Sequence, residues 1–332
     1  MDKKLRVAVV GLGKMGLLHT GILSVLPNVE LAAFCEKSAM IRKVVKKLFG
    51  TVHVVDSLEK LSGLNLDAVY VTTPIMSHFP IIKAIYSEGI VSNVFVEKTL
   101  ASSFDEAKEL CALANKSGGV TMVGYQRRFS VIYNKAKSLL DRGAIGELVS
   151  FEAYAYSSDF FGSEYDSRAH ASRVGALRDL GCHVIDVALW FFGDMQVKSV
   201  EFGASDSHPR GSVHFECVGS DGLEGKFSVS QSMKNYRMPE VGLRVNGSLG
   251  IMEVNDDKLD LKLKNGKSFT WYRHDLGDNV AFLLGTPEYF REDDCFVKSV
   301  LQGRVAEPSF DSAMKVDYLI DQINDKADEI KH

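Results

Sequence analysis

No apolar run in this chain approaches the roughly 18 residues that a helix needs to cross a bilayer, so no segment reads as a membrane span. Nor is there an excess of either charge. The formal net charge is −4, with 39 Lys+Arg against 43 Asp+Glu, which gives no reason to expect nucleic-acid binding. The one basic cluster, Arg42-Lys43-Val44-Val45-Lys46-Lys47, is interrupted by valines at helical spacing and reads as the solvated face of a helix. Cysteine is sparse: Cys35, Cys111, Cys182, Cys217 and Cys295 are scattered, without a C-x-x-C pair. That argues against a disulfide framework and for reduced thiols in a cytoplasmic protein. Neither H-E-x-x-H nor clustered His/Cys spacing occurs, so no metal is expected. There is no internal repeat or low-complexity linker, and Met1-Asp2-Lys3-Lys4 runs into the first strand without a signal peptide. What remains is an ordinary globular composition, 45% hydrophobic and 25% charged over 332 residues, enough for roughly two domains.

The first forty residues carry the strongest signal. Val7 to Val10 is a short β-branched run of the kind buried on both faces of a parallel sheet. Gly11, Gly13 and Gly16 follow at G-x-G-x-x-G spacing, with Lys14 and Met15 inside the loop. Met15, Leu18, Ile22 and Leu26 then recur at helical intervals, and a second apolar run from Val29 to Cys35 ends at Glu36. Each part has a task in dinucleotide binding. Gly11 permits the tight turn, Gly13 lets a pyrophosphate approach the backbone, and Gly16 lets helix and strand pack closely. The helix N-terminus offers N–H groups and positive dipole to the phosphates, and Glu36 would accept hydrogen bonds from the adenosine ribose. Glu36 favours NAD because its carboxylate repels a 2′-phosphate; Lys37 beside it leaves NADP open.

Through residue 124 the chain alternates strands (Leu5–Val10, Val29–Cys35, Thr51–Val54, Ala68–Val71, Val91–Val96, Val120–Val123) with helices (Lys14–Val25, Met40–Phe49, His78–Ser87, Phe104–Ser117). This βαβ rhythm predicts a Rossmann-type, doubly wound parallel sheet over 1–124, with its ligand at the C-terminal strand ends. The pattern then changes. A helix at Val131–Asp141 leads to a strand at Glu147–Tyr156, a loop-rich segment Ser157–Val174, and an apolar helix around Leu180–Phe192. Between Val197 and Trp271, β runs are separated by the turn signals Gly219-Ser220-Asp221-Gly222, Asn246-Gly247-Ser248 and Lys264-Asn265-Gly266. Helices at Pro287–Leu301 and Asp311–Asp328 follow. The fold class is therefore α/β, with a second α+β domain over 125–332 built on an open antiparallel sheet.

Two places can carry chemistry. Strand five ends in Glu97-Lys98-Thr99, and a lysine at a parallel strand's C-terminal end points toward the crevice where a nicotinamide would lie. Its cation there would stabilise developing alkoxide character; the alternative is an exposed loop lysine. Further on, Asp179 and His183 stand four residues apart and share a face if the segment is helical. A neutral imidazole is suited to take a hydroxyl proton near pH 7 while a carboxylate holds a substrate hydroxyl or orients the ring. An i,i+4 surface pair, or an N-cap beside a core histidine, explains the same spacing.

Together these pieces resemble the glucose–fructose oxidoreductase/inositol dehydrogenase (Gfo/Idh/MocA) family, in order along most of the chain. The glycine loop opens the match. Thr72-Thr73-Pro74 with His78 is similar to the family's T-P-x-x-x-H turn beside the cofactor, and Glu97-Lys98-Thr99 to its E-K-P. Gly124-Tyr125-Gln126-Arg127-Arg128-Phe129 resembles its domain junction, and Gly175 through Asp186 its G-x-x-x-D-x-G-x-H-x-x-D segment. The resemblance implies a sugar or cyclitol dehydrogenase. His183 would be the acid/base, Lys98 the electrostatic partner of the reacting oxygen and Asp179 a substrate ligand. Gly11, Gly13, Lys14, Met15, Gly16, Glu36, Thr73, Pro74, His78 and Glu97 would serve the cofactor, with His19 also near the crevice unless it and His78 are simply packed. Arg127, Tyr156 and Arg168 would contact substrate, unless Arg127 is a junction salt bridge. Ser158, Asp159, Asp166 and His170, Tyr236 and the Trp271–Asn279 loop would line the pocket. Two positions depart from the pattern. Ile75 replaces a common asparagine, and Thr99 replaces proline, so a trans Lys98–Thr99 bond is expected because a cis one costs ~2.5–4 kcal/mol.

The leading expectation is an NAD-dependent oxidoreductase acting on a secondary hydroxyl of a sugar, cyclitol or nucleotide sugar. A redox-neutral glycosidase that retains NAD and a non-catalytic dinucleotide or sugar sensor are the other readings. The open face of the second sheet, with Phe202, Phe215, Phe227, Val229 and Val245 assigned to it, is expected to be apolar and to form a homodimer or homotetramer.

Overall fold

The computed structural model describes residues 4–158, 175–205 and 208–329. The chain divides into two compact units, Met1–Gln126 with Val280–Met314 and Arg127–Asn279 with Lys315–His332. The segment 280–314 therefore returns to the first unit, whereas the sequence reading placed all of 125–332 in the second.

The first unit holds a six-stranded parallel sheet in the order β3-β2-β1-β4-β5-β6. Its strands are β1 Leu5–Val10, β2 Val29–Cys35, β3 His53–Val55, β4 Ala68–Val71, β5 Asn93–Glu97 and β6 Thr121–Gly124. Helices α1 Lys14–Val25, α2 Ala39–Leu48, α3 His78–Ser87 and α4 Phe104–Ser117 connect them. The strands are short and apolar because both faces are covered; β4 is buried at all four positions. Local signals bound α4: Ser103 accepts the Glu106 N–H, and Gly118 ends the helix in the left-handed region. The lysines of α2 are exposed while Val45 is buried, so its basic cluster is indeed a solvated face. The return helix α7, Pro287–Gln302, packs against α1. It inserts Phe296 edge-on against the stacked Tyr70 and Phe95 rings, whose centroids are 4.6 Å apart. Strand order reverses on either side of β1, which places the glycine loop and the end of β4 at the switch point where such sheets bind ligands.

The second unit is built on an eight-stranded sheet, β14-β13-β12-β11-β7-β10-β9-β8, antiparallel except where β7 (Leu148–Tyr156) and β10 (Glu224–Ser230) run parallel. The other strands are β8 Met195–Ser205, β9 His208–Gly219, β11 Glu240–Gly247, β12 Gly250–Asn255, β13 Lys258–Leu263 and β14 Ser268–Tyr272. The three turn signals close β9–β10, β11–β12 and β13–β14 as expected. Helices α5 Val131–Asp141 and α6 Cys182–Phe192 cover one face. There Phe151 stacks on Phe192 with centroids 4.3 Å apart, and Phe215 on Phe227 at 4.4 Å. The last helix, α8 Phe310–Glu329, sends Asp317 and Asp321 to Arg178 within this unit.

The expected apolar open face is corrected by this packing. Phe215, Phe227, Val229 and Val245 are buried on the helix-covered side, and the half-buried Phe202 pairs with buried Val213 on that same side. The opposite side carries Glu152, Tyr154, His214, Glu216, Lys226 and Arg244, in ion pairs such as Lys226–Glu216 and Arg244–Glu253. Alternation divides a strand's residues between two faces but does not name the face the helices take.

Candidate active site

In the first unit the loop after β1 is shaped at each glycine for a different reason. Gly11 has φ +89°, and a Cβ there would meet Thr73 Cγ2 at 2.5 Å. Gly16 lies against the loop itself, since a Cβ would fall 2.0 Å from the Gly11 carbonyl oxygen. Thr72 Oγ1, which donates to that oxygen at 2.7 Å, braces the same contact. Gly13 differs: it has extended backbone, φ −70°, and nothing lies within 4 Å of where its Cβ would be. It is also the N-cap of α1, and no side chain caps that helix. Uncapped N–H groups beside an open glycine are what a diphosphate requires.

Glu36 stands where β2 ends. One carboxylate oxygen accepts from Leu12 N at 2.7 Å and the other from Ser38 N at 2.7 Å. The acid thus pins the glycine loop, and each oxygen keeps a second lone pair for a ribose hydroxyl. Arg42, read in the sequence as part of a solvated basic face, is instead half-buried and folds back from α2 to donate to the carbonyls of Glu36 and Lys37 at 2.8 and 2.6 Å. The residues present therefore fit a dinucleotide at this strand edge.

Thr73 and Pro74 follow β4. His78 is fully buried between them and the Lys98 loop, its nitrogens 2.8 Å from the carbonyl oxygens of Thr73 and Thr99, and burial pushes its pKa down. His78 is thus a strut beneath the crevice. The Lys98–Thr99 peptide is cis, which overturns the trans expectation. Thr99 is enclosed, with its Oγ1 donating to Ala101 O at 2.9 Å and its carbonyl beside His78. A local preference weighed on two residues does not decide a peptide held from both sides. Lys98 is half-buried at the end of β5.

Glu97 is turned into the protein. Its Oε1 lies 2.9 Å from His19 Nε2, and its Oε2 accepts from Lys98 N at 3.2 Å. His19 Nδ1 in turn lies 2.8 and 3.0 Å from the two oxygens of Asp293, on the return helix. Both His19 and Asp293 are completely buried. Burial opposes a charge on His19, but Asp293 and then Glu97 outweigh it and hold the imidazole well above its ordinary pKa. Neither Glu97 nor His19 lines an open crevice.

In the second unit Asp179 lies in a π-turn, Leu177–Gly181, that runs directly into α6, where His183 is buried in the first turn. Such turns recur at functional sites because the extra residue re-aims side chains. Two residues without any motif fix this one. Gln231, at the end of β10, donates to Asp179 Oδ2 at 3.0 Å. Arg178, 3% exposed, reaches Asp317 and Asp321 of α8, the latter at 2.7 Å. Cys182, between the two, is fully buried, and its thiol donates to the Asp179 carbonyl at 3.6 Å.

The substrate candidates part company. Arg127 makes a two-point ion pair with Asp256, both bonds 2.8 Å, and Arg128 a similar one with Asp186, so the double arginine is an internal brace of the second unit. Tyr156 lies on the open sheet face with its hydroxyl donating to Ser228 Oγ at 2.8 Å, beside Tyr154 and Tyr236. Ser158 is half-buried, and Trp271 stacks on Phe269 under the Lys135 ammonium. Arg168, Asp159, Asp166 and His170 lie outside the described residues. Among the described residues no three His, Cys, Asp or Glu side chains are grouped to hold a metal, and no helix is long and apolar enough to cross a membrane.

Comparison with known proteins agrees with this layout. Residues 5–125 match the family model described as the GFO_IDH_MocA oxidoreductase family, NAD-binding Rossmann fold. Residues 133–253 match the GFO/IDH/MocA C-terminal domain. Among curated proteins, the chain is 27% identical over 195 residues to scyllo-inositol 2-dehydrogenase (NAD(+)) of Bacillus subtilis, covering 58% of this chain and 55% of that protein. It is 26% identical over 199 residues to D-glucoside 3-dehydrogenase of Escherichia coli, covering 59% and 56%. The aligned part thus spans about half the length of such relatives. A solved levoglucosan dehydrogenase in complex with NADH and L-sorbose superposes with a TM-score of 0.87 at 20% identity, covering 98% of this chain and 97% of that one, which establishes a shared fold. The chain belongs to the Gfo/Idh/MocA oxidoreductase family, and its first unit is that family's NAD-binding Rossmann domain.

Proposed function

We propose that this protein is an NAD-dependent dehydrogenase that oxidises a secondary hydroxyl of a sugar, cyclitol or nucleotide sugar. The observation that carries the reading is the cradle after β1. It combines an uncapped helix N-terminus, open space at Gly13 and the Glu36 carboxylate bonded to the loop, on the same sheet edge as Lys98. Gly13 and the first turn of α1 hold the diphosphate, and Glu36 the adenosine ribose. Bound NAD supplies the hydride acceptor; the remaining work falls to side chains. His183 takes the proton from the substrate hydroxyl as hydride leaves the carbinol carbon and the C=O bond forms. The Lys98 ammonium stabilises the alkoxide character that develops on that oxygen. Asp179, oriented by Gln231, accepts a hydrogen bond from a neighbouring substrate hydroxyl. The relatives named as inositol and glucoside dehydrogenases support the substrate class.

The test is mass analysis of any copurifying dinucleotide, followed by a screen of polyols, aldoses and nucleotide sugars for NADH release. On a substrate so found, Lys98→Ala and His183→Ala should each lower kcat by about 10²–10⁴-fold. Unchanged turnover in both variants overturns the mechanism. Glycosidic cleavage with retained dinucleotide and no NADH release overturns the assignment of net oxidation.

A further inference from the structure

The cluster beneath Lys98 is buried, with His19 and Asp293 closed to solvent. His19 of α1 presents each ring nitrogen to a different carboxylate: Nδ1 to Asp293 at 2.8 Å and Nε2 to Glu97 at 2.9 Å. A neutral imidazole has one N–H and can donate to one of them; an imidazolium donates to both. The other Glu97 oxygen accepts the Lys98 N–H at 3.2 Å, so an unbroken line runs from Asp293 through His19 and Glu97 to the Lys98 backbone. Glu97 is confined further by Gly124, whose Cβ would lie 3.3 Å from its carboxyl carbon. The remaining neighbours of His19 are aromatic. Tyr70 and Phe95 of the sheet lie at 5.8 and 5.1 Å between centroids, and Tyr289 of α7 at 6.1 Å. Other titratable groups here are Tyr289, Glu292 and Cys295 of α7 and Tyr70 of the sheet, and on the Lys98 side His78. Water has no access to His19 or Asp293, both 0% exposed, so their charges are felt with little screening.

We propose that His19 is a positioning residue for Lys98: an imidazolium clamped between Asp293 and Glu97, it fixes Glu97 against the Lys98 peptide and, as a buried cation one carboxylate away, sets the acidity of the Lys98 ammonium. The proposal rests on the assignment of Lys98 to the reaction, and concerns how that lysine is tuned. Burial without partners would drive the proton off His19; the two carboxylates reverse that. In a His19→Gln protein the buried cation is gone, and the fully buried Asp293, whose pKa burial already raises, takes up a proton. Lys98 then has one cation fewer behind its peptide, and its own proton is held more tightly.

Three measurements on the full-length protein test this. With ¹⁵N-labelled histidine, the resonances absent from His19→Gln identify His19, which should stay doubly protonated well beyond the pH at which an ordinary imidazole loses its proton. Competitive acylation of Lys98 against pH, followed by peptide mass mapping, reads that amine without any turnover. The Lys98 labelling curve should move up by about half a pH unit or more in His19→Gln. The alkaline limb of kcat on an identified substrate should move the same way. Asp293→Asn, which keeps a hydrogen-bonding amide at Nδ1, should make His19 titrate within the accessible range, and it carries the test if His19→Gln does not fold. A neutral His19 at pH 7, or an unmoved Lys98 labelling curve in a folded His19→Gln protein, overturns the proposal; a packing role alone leaves that curve in place. A shifted labelling curve with no dehydrogenase substrate found leaves the positioning role standing and refutes the proposed function instead.

Discussion

Replacing Gly13 and Gly16 one at a time by alanine separates two reasons for a glycine that the loop presents side by side. At Gly16 the new methyl would stand 2.0 Å from the Gly11 carbonyl oxygen, 2.8 Å from Thr72 Oγ1 and 3.0 Å from the Gly11 carbonyl carbon. Two of those atoms are backbone and cannot rotate aside, so the start of α1 must move away from β1 by about 1 Å to reach ordinary contact distance. Overpacking of this kind costs about 1–3 kcal/mol, which for a unit of this size lowers its melting midpoint by roughly 3–10 °C. At Gly13 the backbone is extended, φ −70°, and the methyl meets nothing. Alanine gains about 0.4–1 kcal/mol from a stiffer unfolded chain and loses a comparable amount as a poorer N-cap, so the midpoint should stay within about 2 °C. The methyl occupies the space where a diphosphate approaches the helix N-terminus, so NADH affinity should fall about tenfold or more. Differential scanning fluorimetry without dinucleotide and NADH fluorescence titration read the two quantities separately. Gly13→Ala should weaken NADH at unchanged stability, and Gly16→Ala should lose both. A folded Gly13→Ala protein that binds NADH as tightly as wild type refutes the placement of the diphosphate. A Gly16→Ala protein that melts with wild type refutes the close approach of α1 to β1.

Glu36→Gln keeps a carbonyl acceptor but removes the anion, so the ratio of NADP to NAD affinity should rise about tenfold by calorimetric titration, helped by Arg42 and Lys37; a ratio that is unchanged, or already above one in wild type, contradicts the role given to Glu36. Arg178→Met removes the Arg178 cation from Asp317, 0% exposed, and should destabilise the second unit by about 3–5 kcal/mol in urea titration. His19 has a raised pKa in the folded state, so folding binds a proton that the unfolded chain releases above its ordinary value. Its stabilisation is complete below about pH 6.5 and is lost as pH rises through the folded value. The first unit's melting midpoint should therefore decline on the alkaline side, and His19→Gln should flatten that decline.

The elements easiest to see in the sequence were those whose environment is uniform along their length. β1, β2 and β4 are apolar at nearly every position because a parallel sheet is covered on both faces, and their limits were read correctly. β3 was misjudged by two residues at its start: it is a half-buried edge of three residues, and one of them, His53, is exposed, so neither apolar nor alternating pattern is strong. The second sheet was legible as strands and turns, but its two faces were exchanged, since helix packing is a long-range choice. The same limit hid the return of 280–314 to the first unit, which depends on Phe296 meeting Tyr70 and Phe95 across two hundred positions of chain.

The motifs single out the residues proposed for chemistry but not what aims them. Lys98 follows Glu97, whose orientation depends on His19 and through it on Asp293, 274 positions from His19. Asp179 is held by Gln231, 52 positions away, and its neighbour Arg178 by Asp317, 139 positions away. None of Asp293, Gln231 or Asp317 belongs to a recognisable pattern, because a single carboxylate or amide has no spacing to read. A reacting group must nevertheless be held to a fraction of an ångström, and a side chain ending a strand or opening a helix has too much freedom to do that alone. It follows that substitutions at Asp293 and Gln231 should disturb turnover more than their distance from the motifs suggests. Substitutions at Tyr156, whose hydroxyl is spent on Ser228 on the far face of the sheet, should disturb it less than its place beside a motif-rich segment suggests.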